Sequence, residues 1–446
     1  MRLSASLGLA VVGVVLCVAP AVLAQDTGGS ALDSPSPPPV YGRTLPKQFL
    51  EKPSQPPAFT LPVQSLGFSA PGSFYLGKRE SFVSLDFIDE NRLLFTFRVP
   101  GLLHREAGEE GGRQIRAVVL ALPAGTVEAE ALWTVHDRVR YLWMLKDGHF
   151  LLRDRDNLDL SDGTLELKPY LRFPGPLLYV ETDPAQKFLV TNSSEPVAKP
   201  KEPGEASSPI IHPVDKDQSS RPSGIDSSPE AMTAQPDLIV RILRRDSGQV
   251  MLVSRTNNAV HLPINADGYL ESLRSKGDKW LLNMKYFSGG SSILGQVDSA
   301  CSLALDFVAQ REVLVSTCTA SGESKLVAIG IDGRHLWSYM PFRQTVWPLL
   351  VRSPDSSRVA WEAMVVTDPI SARSPLYQED VKGQLVEVLN AADGKVALDA
   401  PASPALDAGG NVAISPSGRR VAVLNSGQIQ VFELPLPAAV TSLPVR

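Results

Sequence analysis

Polar turns followed by short apolar strands recur along most of the chain. The clearest copies are Ser353–Trp361 (SPDSSRVAW) and Ser415–Val423 (SPSGRRVAV), in which polar residues, proline or glycine form the turn and β-branched or large apolar residues follow. Five further copies are Phe87–Phe95, Leu145–Leu152, Thr182–Val190, Ser275–Leu282 and Phe307–Val315. Apolar residues at helical spacing are almost absent beyond the N-terminal region. The pattern predicts an all-β chain.

The spacing of these turns is typical of a β-propeller. Most successive turns lie about 40 to 50 residues apart, which is the length of a four-stranded blade. The longer intervals contain insertions, which are Gly108–Arg113, Thr367–Gly383 and a proline-rich stretch at 195–236. The interval between the turns at Lys276 and Ala309 is too short for a complete blade. We expect a single propeller over residues 59–436 with seven blades, and six or eight blades are the alternatives.

A ring of blades is closed when its first and last strands pair, because closure leaves no unpaired sheet edge. The run Gln428–Leu434 is predicted to be an inner or middle strand of the last blade. An early strand, at Phe59–Phe68 or at Phe74–Leu76, is expected to complete that blade.

Two long stretches are too rich in proline, serine and polar residues to form a packed core. Residues 25–58 are predicted to be a disordered leader, and residues 437–446 form a short C-terminal tail. For residues 195–236 two interpretations stay open, a linker between two domains or a disordered insertion within one. The turn–strand pattern continues on both sides of this stretch, and this continuity favours the insertion.

The N-terminus has the organisation of a cleavable secretory signal. A positive charge at Arg2 precedes an apolar stretch, and small residues end it at Ala24, so residues 1–24 are predicted to be removed. An uncleaved membrane anchor is the alternative. A lipid anchor at Cys17 is not expected, because lipoprotein signals have a small residue where Leu16 stands. With no second long apolar stretch, we expect an exported protein, periplasmic or extracellular, without stable membrane insertion after cleavage.

Two of the turn–strand copies resemble the WD40-like repeats of TolB-type propellers, which have Ser-Pro-Asp-Gly before a strand. Ser353–Trp361 lacks the glycine of that motif, and Ser415–Val423 lacks the aspartate. Leu326–Trp337 and Leu385–Val396 resemble the strand–Asp-Gly–strand turns of quinoprotein-like propeller repeats. The resemblance implies a propeller architecture, and it says little about a ligand.

Charge and motifs exclude several classes of function. A formal net charge of −5 disfavours nucleic acid as a partner. No histidines have helical metal-ligand spacing among His104, His136, His149, His212, His261 and His335. Gly289–Gly295 lacks the spacing of a nucleophile elbow, and the acidic run Asp154–Gly163 lacks the ligand positions of an EF-hand loop. We therefore predict no catalytic residue, no metal ligand and no cofactor, and leave any cofactor-binding residue unassigned.

Cys301 and Cys318 are the two cysteines that remain after removal of the signal. If Ala309 and Gln310 form the tip of the hairpin between them, the cysteines face each other at a non-hydrogen-bonded pair, where the strands approach most closely. Export favours oxidation of such a pair. We predict a structural disulfide, and two buried free thiols are the alternative.

Two classes of function remain open. The first is a non-catalytic propeller that binds a protein, a peptide or a small ligand at its loop face, and the absence of a recognisable catalytic motif favours it. The alternative is an exported propeller hydrolase or lyase, with polar residues or a metal in the central pocket. A propeller site is assembled from single residues on different blades, so the sequence does not name its residues.

Overall fold

The computed structural model describes residues 51–71, 82–99, 111–137, 140–196, 237–256, 261–320, 323–342, 345–367, 378–406 and 409–436. All of them belong to one compact unit, Tyr41–Arg446. The predicted signal and tail, and most of the predicted leader and insertion, lie outside the described residues. No helix within the described ranges is long and apolar enough to span a membrane.

The described residues form antiparallel sheets, apart from two single-turn 3₁₀ helices at Gln64–Leu66 and Gln378–Asp380. The sheets are arranged as a seven-bladed β-propeller, as the sequence predicts. The first strand, β1 (Phe59–Pro62), belongs to the last blade. Blade 1 contains β2 (Val83–Asp89), β3 (Arg92–Arg98), β4 (Arg113–Ala121) and β5 (Thr126–Val135). Blade 2 contains β6 (Leu142–Met144), β7 (Phe150–Asp154), β8 (Asn157–Ser161) and β9 (Lys168–Arg172). Blade 3 contains β10 (Leu177–Thr182), β11 (Phe188–Glu195), β12 (Asp237–Arg244) and β13 (Val250–Thr256).

The remaining blades follow in chain order around the ring. Blade 4 contains β14 (Gly268–Arg274), β15 (Lys279–Tyr286) and β16 (Ser291–Asp298). Blade 5 contains β17 (Ala304–Ala309), β18 (Glu312–Cys318), β19 (Ser324–Gly330) and β20 (His335–Tyr339). Blade 6 contains β21 (Thr345–Arg352), β22 (Arg358–Val366), β23 (Val381–Asn390) and β24 (Val396–Ala402). Blade 7 contains β25 (Val412–Ile414), β26 (Arg420–Asn425) and β27 (Gln428–Glu433), with β1 as its outer strand.

Blade 7 closes the ring with strands from both ends of the propeller. Strand β1 pairs antiparallel with β27, with Phe59 opposite Val431. The predicted C-terminal strand is thus a middle strand of the last blade, and the earlier of the two candidate N-terminal strands completes it. Ser54, near the end of the predicted leader, bonds to the outer strand of blade 6, because its N–H donates to the Asp399 carbonyl at 2.8 Å.

Six of the seven predicted turn–strand copies connect the first and second strands of a blade. These are the turns after β2, β6, β10, β17, β21 and β25. The first strands of neighbouring blades contact one another, as β2 does with β25 and β6, so they surround the central channel. Neighbouring turns also touch, because the N–H of Ser417 donates to the Glu90 carboxylate at 2.7 Å. We call the face that carries these turns the hairpin face.

The first strand of blade 4 differs from this pattern. The predicted copy Ser275–Leu282 connects β14 with β15, which are not the innermost pair of the blade. A short extended segment lies inside β14 and bridges to it through Ile264 and Tyr269. The predicted copy at Ser275–Leu282 is therefore the second turn of its blade and not the first. Because Pro263 has no N–H for a sheet ladder, the segment forms too little regular strand to stand out in the sequence.

The true first turn of blade 4 is Asn265–Gly268. The Asn265 side-chain oxygen accepts the N–H groups of Asp267 and Gly268, both at 2.9 Å, as in an Asx turn. The Asn265 amide donates to the Gln310 carbonyl at 2.9 Å, which joins this turn to the hairpin of blade 5. Counted from this turn, the short interval noted in the sequence becomes a blade of ordinary length.

The three predicted insertions all lie between the second and third strands of a blade. They connect β3 with β4, β11 with β12, and β22 with β23. Strands β11 and β12 pair directly, with Glu195 opposite Asp237, so residues 196–236 interrupt one blade and do not separate two domains. Because neighbouring strands are antiparallel, all three insertions begin and end on the face opposite the hairpin face. We call this the loop face.

The apolar core lies in the seams between neighbouring blades. In the seam between blades 7 and 1, Phe95 and Phe97 pack with Leu424 and Ile429, and all four are almost fully buried. Each of the other six seams contains its own cluster of buried side chains from the two blades that flank it. Each blade is thus held by apolar contacts with both neighbours, and burial of this area drives closure of the ring.

The predicted disulfide between Cys301 and Cys318 is present, with the Cα atoms 5.7 Å apart. It connects the segment before β17 to the end of β18. The N–H of Ala300 donates to the Cys318 carbonyl at 3.0 Å, and the N–H of Cys318 donates to the Ser299 hydroxyl at 3.1 Å. The bridge therefore joins two segments that backbone hydrogen bonds already hold together.

The predicted register of this hairpin was wrong by one residue. Phe307 pairs with Val313 and not with Glu312, and the turn is formed by Gln310 and Arg311. A β-bulge after Phe307 adds one residue to β17, so counting outward from a symmetric turn fails. The disulfide still forms. Cys301 precedes β17 and Cys318 ends β18, so both cysteines lie at the open end of the hairpin, and their Cα atoms remain 5.7 Å apart.

Candidate functional site

Side chains from three consecutive blades meet in the central channel. Tyr179 and Glu181 lie two residues apart on β10 and therefore project from the same side of this strand. Val180 between them projects from the other side and is buried in the seam. His261 lies in the segment that precedes the first turn of blade 4, and Asp306 lies on β17 of blade 5. We call Tyr179, Glu181, His261 and Asp306 the channel cluster.

The polar atoms of the channel cluster lie within direct interaction distance of one another. His261 Nε2 lies 3.1 Å from Glu181 Oε2 and 3.9 Å from Asp306 Oδ1. The Tyr179 hydroxyl donates to the same Glu181 oxygen, and its ring meets the imidazole edge to face with centroids 5.1 Å apart. One nitrogen and two carboxylate oxygens, from Glu181, His261 and Asp306, thus lie within 4.8 Å of one another.

Arg352 spans the channel on the hairpin side of the cluster. Its guanidinium donates to the Phe307 carbonyl of blade 5 at 2.7 Å and to the carbonyl and hydroxyl of Thr182 in blade 3. Thr182 and Phe307 each follow a cluster carboxylate in sequence. The arginine therefore ties together the two strands that carry Glu181 and Asp306, and it fixes the distance between these carboxylates.

A second contact between blades 3 and 5 lies further toward the hairpin face. The Gln310 amide donates to the Asp183 carboxylate at 3.0 Å, and its oxygen accepts the Ala266 N–H at 2.8 Å. Together with Arg352, these bonds link blades 3 to 6 on the hairpin side of the cluster. The cluster itself keeps contact with water, since 38% of the His261 side chain and 34% of the Asp306 side chain are exposed.

The carboxylates determine the charge of His261. Burial alone would lower the pKa of this imidazole, but the hydrogen bond and charge of Glu181, together with the charge of Asp306, raise it to about 9. The imidazole is thus held as a cation at neutral pH. Its positive charge is the main local compensation for the two acids beside it.

The acids and the phenol are in turn shifted by burial and by each other. Burial raises the pKa of Asp306, and the nearby negative charge of Glu181 raises it further, while His261 and Arg352 oppose the shift. Burial and the charges of Glu181 and Asp306 raise the pKa of Tyr179 well above its ordinary value, so the phenol remains protonated. The cluster is therefore a coupled group that holds protons tightly.

A second group of charged side chains comes from blades 1, 2 and 6. Burial raises the pKa of Asp86 to about 6, although the Ser84 hydroxyl donates to it at 2.6 Å and Arg140 attracts its charge. Burial likewise raises the pKa of Glu362 to about 8, against backbone hydrogen bonds and the charge of Arg140. The Gln384 amide donates to Glu362 at 2.9 Å. Arg140 is thus the cation shared by this group.

The acidic run Asp154–Gly163 lies outside the channel. It forms the end of β7, a turn and β8. Asp154 lies 3.0 Å from the imidazole of His136, and Asp156 lies 3.1 Å from the guanidinium of Arg172. These acids are thus paired with neighbouring cationic or imidazole side chains of the same blade region, as expected for a polar blade turn.

The histidines were not distinguished from one another by the sequence. His136 follows the outer strand of blade 1, His149 lies in the first turn of blade 2 and His335 lies on the outer strand of blade 5, whereas His104 and His212 fall outside the described residues. Among the described histidines, His261 alone lies beside two carboxylates in the channel. No motif marks it, because its partners are contributed by two other blades.

One sequence signal for the channel acids was overlooked. Leu85-Asp86-Phe87-Ile88 and Leu305-Asp306-Phe307-Val308 have the same pattern, an aspartate inside an apolar strand just before the turn. Their pairing is also the same, since Asp86 lies opposite Leu94 and Asp306 opposite Leu314. A charged residue at a repeated position in a buried strand costs free energy and indicates a function or a special partner.

No family model matches the sequence, and a search of curated proteins returns no match.

Solved structures of low similarity do match. The Pyrococcus horikoshii acylaminoacyl peptidase is 10% identical, with a TM-score of 0.44 over 78% of this chain and 49% of its own. This chain thus spans about half the length of that enzyme. A chain of a mitotic checkpoint complex is 12% identical, with a TM-score of 0.43 over 92% of this chain and 98% of its own. The β-propeller domain of the Trilobed protease from Pyrococcus furiosus is 9% identical, with a TM-score of 0.42 over 79% and 93%. No residue role is transferred from any of them.

Proposed function

We propose that this protein is an exported, non-catalytic propeller that binds a protein, a peptide or a small ligand through the channel mouth on its loop face. One observation carries the proposal, namely that three consecutive blades bring polar atoms of Glu181, His261 and Asp306 within 4.8 Å of one another at a single water-accessible point. Propellers commonly bind ligands where residues from several blades converge on the axis.

The direction of access supports the loop face as the binding face. On the hairpin side of the cluster, Arg352 and the bond between Gln310 and Asp183 cross from blade to blade. We therefore expect a ligand to approach from the opposite face, where the three insertions begin and end. Loops of this kind are common sites of recognition on a rigid scaffold.

The dimensions of the cluster limit what enters the channel. Its three ligand-type atoms lie within 4.8 Å of one another, so an ion or one functional group fits between or above them. The remainder of a larger ligand would lie across the loop face. We accordingly expect a ligand that inserts one polar or charged group, such as a side chain or a chain terminus.

A hydrolase or lyase is the second candidate function. The pair of His261 and Glu181, with Nε2 and Oε2 3.1 Å apart, has the hydrogen bond that orients an imidazole for general acid–base catalysis. A protonated His261 beside Asp306 could serve as the acid. This candidate differs from the first in one respect that can be measured, because a catalyst changes the mass of the ligand.

Binding can be tested with a defined mixture of tripeptides and free amino acids, observed by saturation-transfer NMR in the presence of the mature protein. His261→Ala is expected to abolish the transfer signals, while His335→Ala, on the outer strand of blade 5, should retain them. Mass spectra of the recovered probes should show no change. Cleaved or eliminated probes would favour the second candidate, and equal signals from wild type and His261→Ala would contradict both.

Export can be tested separately. The full chain, expressed in a bacterial host, is expected in the periplasmic or external fraction as a protein whose N-terminal residue is Gln25. The intact mass and the N-terminal sequence of that fraction give the answer. Retention of residues 1–24 on protein held in the membrane would support the uncleaved anchor and would contradict the proposed compartment.

A further inference from the structure

We infer that Glu181, His261 and Asp306 form a binding site for a divalent transition-metal cation of the zinc or manganese type. The inference rests on the proposed function, since a metal in this position would be the group that contacts the ligand. Imidazole nitrogen with two carboxylate oxygens is a ligand set for such cations, whereas Ca²⁺ takes six to eight oxygen ligands.

The distances fit a shared ion. Two ligands of one tetrahedral zinc ion lie about 3.4 Å apart, because each bond is about 2.0 to 2.2 Å long. In the channel cluster, His261 Nε2 is 3.1 Å from Glu181 and 3.9 Å from Asp306, and all three ligand atoms lie within 4.8 Å. Small side-chain rotations therefore place one ion among them, and the metal displaces the proton of His261 Nε2, which is released to water.

The two carboxylates concentrate negative charge at one point of the channel. A Glu181 oxygen and an Asp306 oxygen lie within 4.8 Å of each other and of the His261 nitrogen, so both acids attract a cation placed among them. They come from different blades, and Arg352 fixes this approach through the carbonyls of Thr182 and Phe307. The arginine donates its hydrogen bonds to these backbone oxygens, and its charge also attracts Asp306.

The surrounding groups have the roles expected around a metal. The Tyr179 hydroxyl donates to Glu181 and orients its carboxylate, as outer groups do for metal ligands. Three protein ligands leave at least one coordination position open, and the exposure of His261 and Asp306 directs that position toward water in the channel. A carboxylate, amine or carbonyl group of a ligand that arrives from the loop face could complete the coordination.

The test is calorimetric titration of the untagged, chelator-treated mature protein with zinc chloride, with magnesium chloride as the comparison cation. Wild type is expected to bind one equivalent of zinc and to bind magnesium far more weakly. Glu181→Gln, Asp306→Asn and His261→Ala should each weaken zinc binding by about 100-fold or more. Cobalt substitution should give visible absorption bands that His261→Ala lacks.

The matched control is Asp86→Asn. This aspartate occupies the same position in blade 1 but contacts Ser84 and Arg140 in place of a histidine and a second acid. Its zinc affinity should remain within about twofold of wild type. Because His261 is partly exposed, His261→Ala should fold even if a carboxylate variant does not, and circular dichroism verifies this.

The outcomes separate this inference from the proposed function. Wild type that binds zinc no better than His261→Ala would overturn the metal site, as would an equal loss in Asp86→Asn. If the tripeptide probes bind wild type with and without zinc while zinc itself does not bind, the metal site fails and the binding function stands. If zinc binds specifically but no probe does, the metal site stands and the proposed ligand binding fails.

Discussion

The first strands of blades 1 and 5 have the same local sequence and the same local structure, but their aspartates have different neighbours. Asp86 and Asp306 each stand between a leucine and a phenylalanine, and a β-bulge follows each phenylalanine. Asp86 accepts a hydrogen bond from Ser84 and is attracted to Arg140. Asp306 instead lies beside a second carboxylate and a protonated imidazole.

The blade repeat therefore sets the position of a channel carboxylate, whereas residues of the neighbouring blades set its hydrogen bonds and its pKa. In blade 1 the partner Ser84 lies on the same strand, so the aspartate is largely satisfied locally. In blade 5 the partners Glu181 and His261 come from blades 3 and 4, so the group depends on assembly of the ring. A site with components from several blades is the arrangement expected of a ligand-binding channel.

The largest expected effect tests whether the two strands are equivalent in the core. Phe87 and Phe307 follow the two aspartates and are buried to 4% and 1% exposure in their seams. Phe87→Ala and Phe307→Ala should each lower the free energy of unfolding by about 3 to 5 kcal/mol, as measured by urea titration. Leu132→Ala, at a position that is 62% exposed, should change it by less than about 0.5 kcal/mol. If the two phenylalanine variants lose clearly different amounts of unfolding free energy, the Leu-Asp-Phe pattern does not pack equally in the two blades.

The next effect is the loss of stability on removal of the disulfide, which blade 5 contains and blade 1 does not. The Cys301–Cys318 bridge belongs to the hairpin of blade 5, and blade 1 has no cysteine. The double variant Cys301→Ser, Cys318→Ser should lose about 2 to 3 kcal/mol of stability and retain the circular dichroism spectrum of the ring. Thiol titration of unfolded, unreduced wild type should find no free thiol in the mature chain. Unchanged stability in the variant would mean that the bridge constrains little beyond the hydrogen bonds around it.

The next effect is on the pH dependence of the free energy of unfolding, and it concerns Asp86. Burial raises its pKa to about 6 from the ordinary 3.8, so the folded protein holds this proton more tightly than the unfolded chain. The resulting stabilisation is complete below about pH 4 and is lost as the pH rises through about 6. Asp86→Asn cannot ionise, so it should exceed wild type in stability by up to about 3 kcal/mol at pH 7 and by little at pH 4.

The controls for this prediction are the charged groups around Asp86. Ser84, Arg140 and Tyr141 face it and remain in the variant, so any difference in the pH profile belongs to the carboxyl group. Asp89→Asn, at an exposed position later on the same strand, should keep the wild-type dependence. A profile of Asp86→Asn that runs parallel to wild type between pH 4 and pH 7 would contradict the assigned shift.

The smallest expected effect concerns the insertion of blade 3. Glu195 and Asp237 are paired across β11 and β12, so a short glycine–serine connection can replace residues 197–236. The melting temperature should change by less than about 2 °C, because the cost of loop closure varies only slowly with loop length. Limited proteolysis of wild type should cleave first in this segment. A large loss of stability would show that the insertion packs on the ring.

Most of the fold was predictable because it depends on local chemistry. Polar turns and β-branched strands recur at blade spacing, and the number of blades, the closing strand and the disulfide follow from them. Two details were not predictable. The segment around Pro263 forms only one bridge, so the first strand of blade 4 has no visible pattern, and the bulge after Phe307 has no sequence marker that fixes its place.

The channel cluster could be predicted only in part. Asp306 stands out as an acid within an apolar strand, and the same pattern at Asp86 strengthens the signal. Glu181 and His261 carry no such mark, because each lies near polar residues and far from the other in sequence. Their contact arises from the curvature of the ring, which brings first strands of different blades to one axis.

From the sequence alone followed the repeating hairpin and the all-β architecture, and the sequence favoured seven blades and the pairing of Cys301 with Cys318. These features depend on residues that are neighbours along the chain or within one blade. Only the tertiary structure decided which side chains meet in the channel and how they are charged. The protonation of His261 and Asp306 reflects burial together with partners on other blades. Such interactions do not exist until the ring closes, because in the unfolded chain water screens these groups and separates them.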